Sequence, residues 1–182
     1  METRDQILKI AGELLAKRGY WGVSMQDIAD AIGITKAALY YHFPSKQALT
    51  LALLEQTYEE FFSALEQAGN KASNPAAKLL ASVDAYITFA LKKPQINFLL
   101  FTETEELDEG LRGYLESVHR EVKDLFKVLI GANLAEDRGS RLSLNSITEL
   151  LLGILSNLNF LKRATPQKSA QEITQFILPS EK

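Results

Sequence analysis

A short stretch near the N-terminus combines a cation, small side chains and hydrogen-bonding aromatic side chains. It reads Lys36, Ala37, Ala38, Leu39, Tyr40, Tyr41 and His42. At about 100° per residue, Leu39 and the following Phe43 lie on one side of a helix, which leaves the other residues facing outward. Lysine, tyrosine and histidine donate hydrogen bonds to base edges or phosphates, and an alanine methyl suits a thymine methyl. The outward face therefore has the chemistry of a helix that enters the major groove of DNA.

Two short helices joined by a tight turn are needed to present this face. Ser24 is predicted to cap the first helix together with Asp27, and Gly33 to end it, because glycine adopts the left-handed conformation at little cost. Thr35 is placed to cap the second helix. Lys46 stands at the start of the next helix, where backbone N–H groups favour a phosphate. The predicted DNA-binding residues are Ser24, Thr35, Lys36, Ala37, Ala38, Tyr40, Tyr41, His42 and Lys46.

A surface hairpin of two helices with solvated side chains is the structural alternative, and a helix-turn-helix outline alone does not exclude it. The DNA-binding interpretation is favoured by the number of groove-compatible residues on a face that has no packing role. Just before the hairpin, Tyr20 and Trp21 follow Gly19, the predicted end of the first helix. We expect this aromatic pair to pack against the small domain, and a contact of Tyr20 with the DNA backbone is the alternative.

The same segment resembles the N-terminal DNA-binding domain of TetR-type (TetR/AcrR family) transcriptional regulators. The residues that carry the resemblance are Ile28, Ala29, Ala31, Gly33, Ile34, Thr35, Lys36, Leu39, Tyr40, His42, Phe43, Ser45, Lys46 and Leu49. Ala37 departs from the pattern, because the family often has glycine there. The resemblance implies a DNA-binding domain over residues 1–46 and an effector-binding and dimerisation domain over residues 47–182.

Helical periodicity continues through the rest of the chain, without strand-like alternation of useful length. A helix is predicted from Lys46 to about Gln67, Asn74 and Pro75 form the next helix start, and Pro94 opens a further helix. The predicted fold class is all-α: an N-terminal three-helix helix-turn-helix domain joined by a continuous helix to a C-terminal helical ligand-binding and dimerisation domain. The family's pattern implies about nine helices.

Aromatic residues are concentrated in the middle of the chain. Core packing is the first explanation, because a helical bundle must be filled densely. The resemblance implies in addition an effector cavity among these helices, mostly apolar with a few polar groups. The candidate effector-binding residues are Phe62, Tyr86, Phe89, Asn97, Phe98, Phe101, Thr102, Tyr114 and His119. A lone histidine such as His119 is more often a surface or hydrogen-bonded residue than a ligand contact.

The segment 142–161 is apolar around most of its helical circumference, which is typical of a central helix or of an interface. Thr165 and Pro166 are predicted to start a last helix. Two helices of each subunit form a four-helix dimer interface in TetR-type proteins, and the resemblance implies a homodimer here. The candidate interface residues are Leu151, Ile154, Leu155, Leu158, Ile173, Phe176 and Ile177. Burial inside a monomer is the alternative.

The composition offers little for catalysis. The chain has no cysteine and two histidines, and it contains no glycine-rich phosphate loop and no paired nucleophile and base. We therefore expect no enzyme activity, no cofactor and no catalytic residue. The acidic run 103–109 lacks the ligand spacing of a metal site, so we expect a solvated helix end and no metal.

The net charge of −3 is unevenly distributed, because the first 49 residues contain six Lys or Arg against five acids. DNA binding should therefore depend moderately on salt. We expect a cytoplasmic protein that does not cross a membrane, since no stretch supplies ~20 successive apolar residues. The favoured function is a ligand-responsive, sequence-specific regulator of transcription that binds double-stranded DNA as a repressor and leaves a palindromic operator when a small, largely apolar effector binds. A helical adaptor that binds only proteins is the alternative.

Overall fold

The computed structural model describes residues 3–93, 107–134, 142–157, 161 and 164–178. Over these residues it is helical and contains no strand, which confirms the all-α prediction. The helices are α1 (Thr3–Arg18), α2 (Met25–Ile32), α3 (Lys36–His42), α4 (Lys46–Asn70), α5 (Pro75–Lys92), α6 (Glu109–Gly131), α7 (Leu144–Leu155) and α8 (Pro166–Ile177). The helix expected after Pro94 lies outside the described residues, so the count of nine stays a prediction.

The chain divides into two compact units. The first comprises Met1–Glu60 with Lys93–Leu115, and the second comprises Phe61–Lys92 with Glu116–Lys182. α4 and α6 are continuous helices, and each contributes residues to both units. The absence of a linker after Lys46 is therefore confirmed, whereas the domain boundary proposed at residue 46 stays a prediction.

The core of the first unit is formed by α1, α2, α3 and the start of α4. α1 packs against α2, and α2 packs against α3. The buried apolar residues of this core include Ile7, Leu8, Ala11, Leu15, Val23, Met25, Ile28, Ala29, Leu39, Phe43, Leu49 and Leu53. They recur at helical spacing along each element, so each short helix buries one side and leaves the other exposed.

The second unit is organised around three aromatic rings. Phe61 of α4 lies 5.4 Å from Tyr86 of α5, and Tyr86 lies 6.1 Å from Phe126 of α6, measured between ring centroids. All three side chains are fully buried. α8 packs against α5 and α7. Edge-on aromatic contacts of this kind are favoured because the positive edge of one ring meets the negative face of the next.

Caps at the predicted positions delimit the helices of this unit. Asn74 accepts the backbone N–H of Ala77 at 2.8 Å, and Pro75 is the first residue of α5. Thr165 accepts the N–H of Lys168 at 3.3 Å before Pro166 begins α8. Both helix starts are therefore confirmed, since a side-chain oxygen satisfies a donor that has no partner within the helix.

None of the helices in the described part of the chain combines the length and the apolar composition needed to cross a bilayer.

Candidate nucleic-acid interface

α2 is fixed at both ends by the bonds that its sequence predicts. The Ser24 hydroxyl accepts the N–H of Asp27 at 3.1 Å, and the Asp27 carboxylate accepts the N–H of Ser24 at 2.8 Å, which completes a capping box. Gly33 follows the helix with φ 80°, and the N–H of Ile34 donates to the carbonyl of Ala29 at 3.0 Å. This left-handed turn costs glycine little and sets the direction in which α3 begins.

The inner side of α3 holds the helix in the core. Thr35 caps its N-terminus, with the side-chain oxygen accepting the N–H of Ala38 at 3.1 Å. Leu39 is fully buried, and Phe43, where the helix ends, is buried as well. The two residues predicted to face inward therefore do so, and the predicted cap is confirmed.

The outer side of α3 has no packing role among the described residues. Tyr41 is 88% exposed and Tyr40 is 42% exposed. Lys36, Ala37 and Ala38 are also exposed. A surface of small, cationic and hydrogen-bonding side chains remains, anchored from behind by Leu39, as the spacing predicts.

Ring and cation contacts restrict the longer side chains of this surface. The Lys36 ammonium lies 6.0 Å from the centroid of the Tyr40 ring, within range of a weak cation–π interaction. The His42 ring, half-buried, meets the Tyr41 ring edge-on at 5.5 Å. Such contacts reduce the rotamer freedom that binding would otherwise remove.

Ser24, which is predicted to contact DNA, is hydrogen-bonded at the start of α2, and its contact with DNA stays a prediction. Its hydroxyl and its backbone N–H both donate to Asp27, whose carboxylate also lies 3.1 Å from Arg18. These hydrogen bonds, first from the Ser24 side chain, then from its backbone and from Arg18, lower the pKa of Asp27 to about 2. In the free chain Ser24 therefore caps the start of α2, with its hydroxyl and its backbone N–H both donating to Asp27.

Lys46, which is predicted to contact a phosphate, has contacts within the chain, and its role in DNA binding stays a prediction. The side chain is half-buried, its ammonium donates to the backbone carbonyl of Tyr20, and it lies 4.0 Å from the centroid of the Tyr20 ring. Burial lowers the pKa of Lys46, while the charge of Asp27 acts in the opposite direction. The cation therefore joins the start of α4 to the turn before α2.

The expectation that Tyr20 and Trp21 both pack against the domain is correct only for Tyr20. Tyr20 lies partly buried against the core, whereas Trp21 is 65% exposed. The two rings meet edge-on at 5.0 Å. Sequence reasoning missed this exposed indole, although its place between two turn glycines, Gly19 and Gly22, indicated a constrained position.

Comparison with known proteins agrees with this geometry. Residues 7–53 match the family described as "Bacterial regulatory proteins, tetR family". The N-terminal segment belongs to the tetR family. The tetR-family segment thus contains α2 and α3 and carries a helix-turn-helix DNA-binding domain, as the resemblance implied.

Relatives of the tetR-family segment extend the match in sequence and in fold. The chain is 36% identical over 100 residues to the HTH-type transcriptional activator FasR of Mycolicibacterium smegmatis, a match that covers 55% of this chain and 46% of FasR. A TetR-family regulator from Bordetella parapertussis 12822 has a TM-score of 0.84 at 21% identity over 99% of this chain and 96% of that one. AibR, solved with isovaleryl coenzyme A and operator DNA, has a TM-score of 0.82 at 23% identity over 99% of this chain and 100% of that one. The sequence match thus spans about half of FasR, and the structural likeness shows a shared fold.

Beyond the tetR-family segment, the predicted effector residues divide into several groups. Asn97, Phe98, Phe101 and Thr102 lie outside the described residues. Tyr114 belongs to the first unit and meets Tyr58 edge-on at 6.4 Å. The others lie in the second unit, where Tyr86 is fully buried and Phe62, Phe89 and His119 are half-buried. The Phe61 ring meets the Phe62 and Phe89 rings edge-on, with centroid distances of 5.5 and 5.4 Å.

The predicted interface residues are likewise only partly accessible, and Leu158 lies outside the described residues. Leu151, Leu155, Ile173 and Ile177 are buried within the chain, which favours the alternative of burial inside a monomer for these residues, although Ile173 also lines the groove described below. α7 is apolar on several sides, and the side that carries these leucines packs inward. Ile154 is half-buried, and Phe176 is 69% exposed. A groove of about 1040 Å³ runs beside them, lined by Leu142, Ser146, Glu149, Leu150, Gly153, Ile154, Asn157, Glu172, Ile173 and Phe176.

Proposed function

We propose that the chain is a homodimeric, ligand-responsive regulator of transcription that binds an inverted-repeat operator through the outer side of α3. One observation carries the proposal: Tyr41 is 88% exposed on a helix whose opposite residue, Leu39, is fully buried. Exposure of an aromatic donor beside Lys36 and two alanines has no packing explanation among the described residues. It suits a helix that lies in the major groove.

The proposed contacts have two roles: some position α3 on the DNA, and others recognise the base sequence. Lys36, in the first turn of α3, reaches base edges, and Ala37 and Ala38 permit close approach and meet thymine methyl groups. Tyr40 and Tyr41 donate to phosphates or bases. The Thr35 hydroxyl, whose oxygen caps α3, keeps its proton to donate to a phosphate. Phosphate contacts fix the register of α3, and base contacts supply the sequence preference.

A second copy of the chain is the proposed occupant of the groove beside α7 and α8. The groove is lined mostly by apolar side chains, and Gly153 permits close approach of a helix. Its acidic members are already neighbours of cations, since Glu149 pairs with Lys123 and Glu172 lies 4.0 Å from Lys168. An isologous contact across this groove would give the two-fold symmetry that successive half-sites about 34 Å apart require.

The effector is proposed to bind among the aromatic side chains of the second unit and to contact Tyr86. The Tyr86 hydroxyl is buried and has no hydrogen-bond partner among the described residues. Burial raises its pKa well above the usual value, so it acts as a neutral hydroxyl. A largely apolar molecule with one hydrogen-bonding group would satisfy this hydroxyl.

The effector acts only through a difference in affinity between two subunit arrangements. We propose repression, with the ligand-bound arrangement holding the two α3 helices at a separation that no longer fits successive grooves. FasR is named an activator, so the sign of regulation is a separate measurement. A reporter placed under the selected operator measures it: repression predicts higher expression in a strain that lacks the gene for this chain.

Selection from random duplexes tests DNA binding directly. A regulator of this kind returns an inverted repeat, whereas an adaptor that binds only proteins enriches no sequence. Lys36→Ala should relax the preference at one base position by about 1–3 kcal/mol. Lys9→Ala, which removes an exposed cation from α1, is the matched control and should leave the base preference unchanged.

A further inference from the structure

We infer that Lys46 is a positioning residue that fixes the aromatic turn, defined as residues 19–22, so that the exposed indole of Trp21 contacts the DNA backbone beside α3. This inference rests on the proposed DNA binding and adds a contact to it. It also replaces the phosphate contact predicted for Lys46.

The aromatic turn has a conformation that two glycines make possible. Gly19 ends α1 with φ 72°, a conformation that side chains disfavour. At Gly22 an added Cβ would lie 2.2 Å from the carbonyl oxygen of Arg18, so the two stretches of backbone approach too closely for any side chain. The next residue, Val23, is buried. Trp21 is thus held on a close-packed turn and is nevertheless exposed.

Lys46 joins this turn to the other end of the helix-turn-helix. Its ammonium donates to the carbonyl of Tyr20, 26 positions earlier in the chain, and lies 4.0 Å from the centre of the Tyr20 ring. The Trp21 ring centre is 5.9 Å from the same atom, and Trp21 meets Tyr20 edge-on at 5.0 Å. One cation therefore restrains both rings from the first residue of α4, three positions after Phe43 closes α3.

The position of Trp21 suits a phosphate contact. It lies three residues before Ser24, which caps α2, and the first helix of a helix-turn-helix crosses the DNA backbone. An indole N–H is a donor only, and its ring offers a flat apolar surface to the sugar. Because Ser24 donates to Asp27 in the free chain, Trp21 would supply a further donor at the N-terminal start of α2.

Trp21 is the only tryptophan of the chain, so its fluorescence reports on this contact alone. The experiment titrates the full-length protein with the selected inverted-repeat duplex. Anisotropy of a label on the DNA measures binding, while Trp21 emission and its quenching by acrylamide measure the contact. We expect the emission to change and the indole to become protected in step with binding. Binding with unchanged Trp21 emission and quenching would overturn the inference and leave the proposed DNA binding intact. If selection from random duplexes enriched no sequence, both the proposed function and this inference would be contradicted.

Substitutions of Trp21 and Lys46 then distinguish a role of Lys46 in positioning Trp21 from a direct interaction of its charge with DNA. Trp21→Phe should weaken binding roughly tenfold, the loss expected for a hydrogen bond to a charged group. Val128→Ala, an equally exposed apolar residue of the second unit, should have no effect. Lys46→Met should weaken binding and lower the anisotropy of Trp21 emission in the free protein, and Lys46→Arg should restore both, because a guanidinium also donates and stacks.

The salt dependence of binding decides between the two roles of Lys46. A lysine that neutralises a phosphate contributes about 0.9 to the slope of log K against log salt, hence about 1.8 for a dimer. The inference predicts that Lys46→Met leaves this slope unchanged, and a decrease of that size would overturn it. A combined Trp21→Phe and Lys46→Met variant should lose no more affinity than Trp21→Phe alone, because Lys46 acts through Trp21.

Discussion

Single side chains at the start of α2 set the chemistry of this surface. Asp27 accepts three hydrogen bonds, two from Ser24 and one from Arg18, which stabilise its charged form. The same bonds occupy the donors of Ser24, and the charge of Asp27 opposes the effect of burial on the pKa of Lys46. One carboxylate thereby determines which neighbouring groups remain available to a nucleic acid.

The lowered pKa of Asp27 predicts a pH dependence of stability. Its folded-state pKa of about 2 lies below its ordinary value of 3.8, so the stabilisation is fully present above the ordinary value. It is lost as the pH falls from there towards about 2. Asp27→Asn should therefore lower the melting temperature at neutral pH, and the difference from the wild type should shrink below pH 4. Thermal unfolding followed by circular dichroism between pH 7 and pH 2.5 measures it.

Glu13→Gln, which alters an exposed carboxylate on α1, serves as the control and should lack that pH-dependent difference. A constant difference between Asp27→Asn and the wild type over the same range would contradict the assignment.

At the level of elements, the two sides of α3 have different roles, one in folding and the other in the proposed recognition of DNA. Its inner side holds it in the core and its outer side is free of packing contacts with described residues. Because the two sides belong to one short helix, a substitution on either side tests one property without the other. The turn at Gly33 sets the orientation of α3 relative to α2.

Two alanine substitutions on α3 should give opposite results. Leu39→Ala removes a fully buried side chain and should lower the free energy of unfolding by about 2–5 kcal/mol. Tyr41→Ala removes an exposed side chain and should change it by less than about 0.5 kcal/mol while weakening DNA binding. Urea denaturation and DNA-binding titrations measure the two effects. A loss of stability in Tyr41→Ala like that of Leu39→Ala would show that Tyr41 has a structural role.

The left-handed turn between α2 and α3 gives a third prediction. An added Cβ at Gly33 meets no other atom within 4 Å, so the cost of Gly33→Ala comes from the backbone conformation alone. That cost is about 1–2 kcal/mol of unfolding free energy. Gly113→Ala is the control, because its added Cβ also meets nothing and its helical backbone should gain about 1 kcal/mol. Urea denaturation of both variants should show opposite signs.

At the level of the whole molecule, the proposed function requires two copies with a fixed separation of their α3 helices. The groove beside α7 and α8 has the apolar lining of an interface core and charged residues that already have partners. Its most exposed large apolar side chain is that of Phe176. A monomer would still carry the α3 surface and would lose the two-fold geometry.

Phe176→Asp should therefore convert a dimer to a monomer without unfolding it. The expected result is half the molar mass in light scattering, an unchanged helical circular dichroism spectrum and operator affinity reduced at least to that of a single half-site. Leu142→Asp, at a lining residue that is less exposed than Phe176, should have a smaller effect. A wild-type chain that is monomeric at working concentration would contradict the proposed occupant of the groove.

Local order along the chain made much of the helix-turn-helix predictable from sequence. Each of these features depends on residues within four positions of one another: the caps at Ser24 and Thr35, the turn at Gly33 and the two sides of α3. The spacing of these residues therefore predicts the local structure. The same holds for the start of α5 at Pro75.

Contacts between distant residues were decided only by the tertiary structure. Lys46 and Tyr20 lie 26 positions apart, so no local pattern shows that the cation donates to that carbonyl and leaves Trp21 exposed. α7 is apolar around most of its circumference, so periodicity does not indicate that Leu151 and Leu155 pack inward. A helix period fixes which residues share a side, whereas the side that is buried depends on which other helices are near.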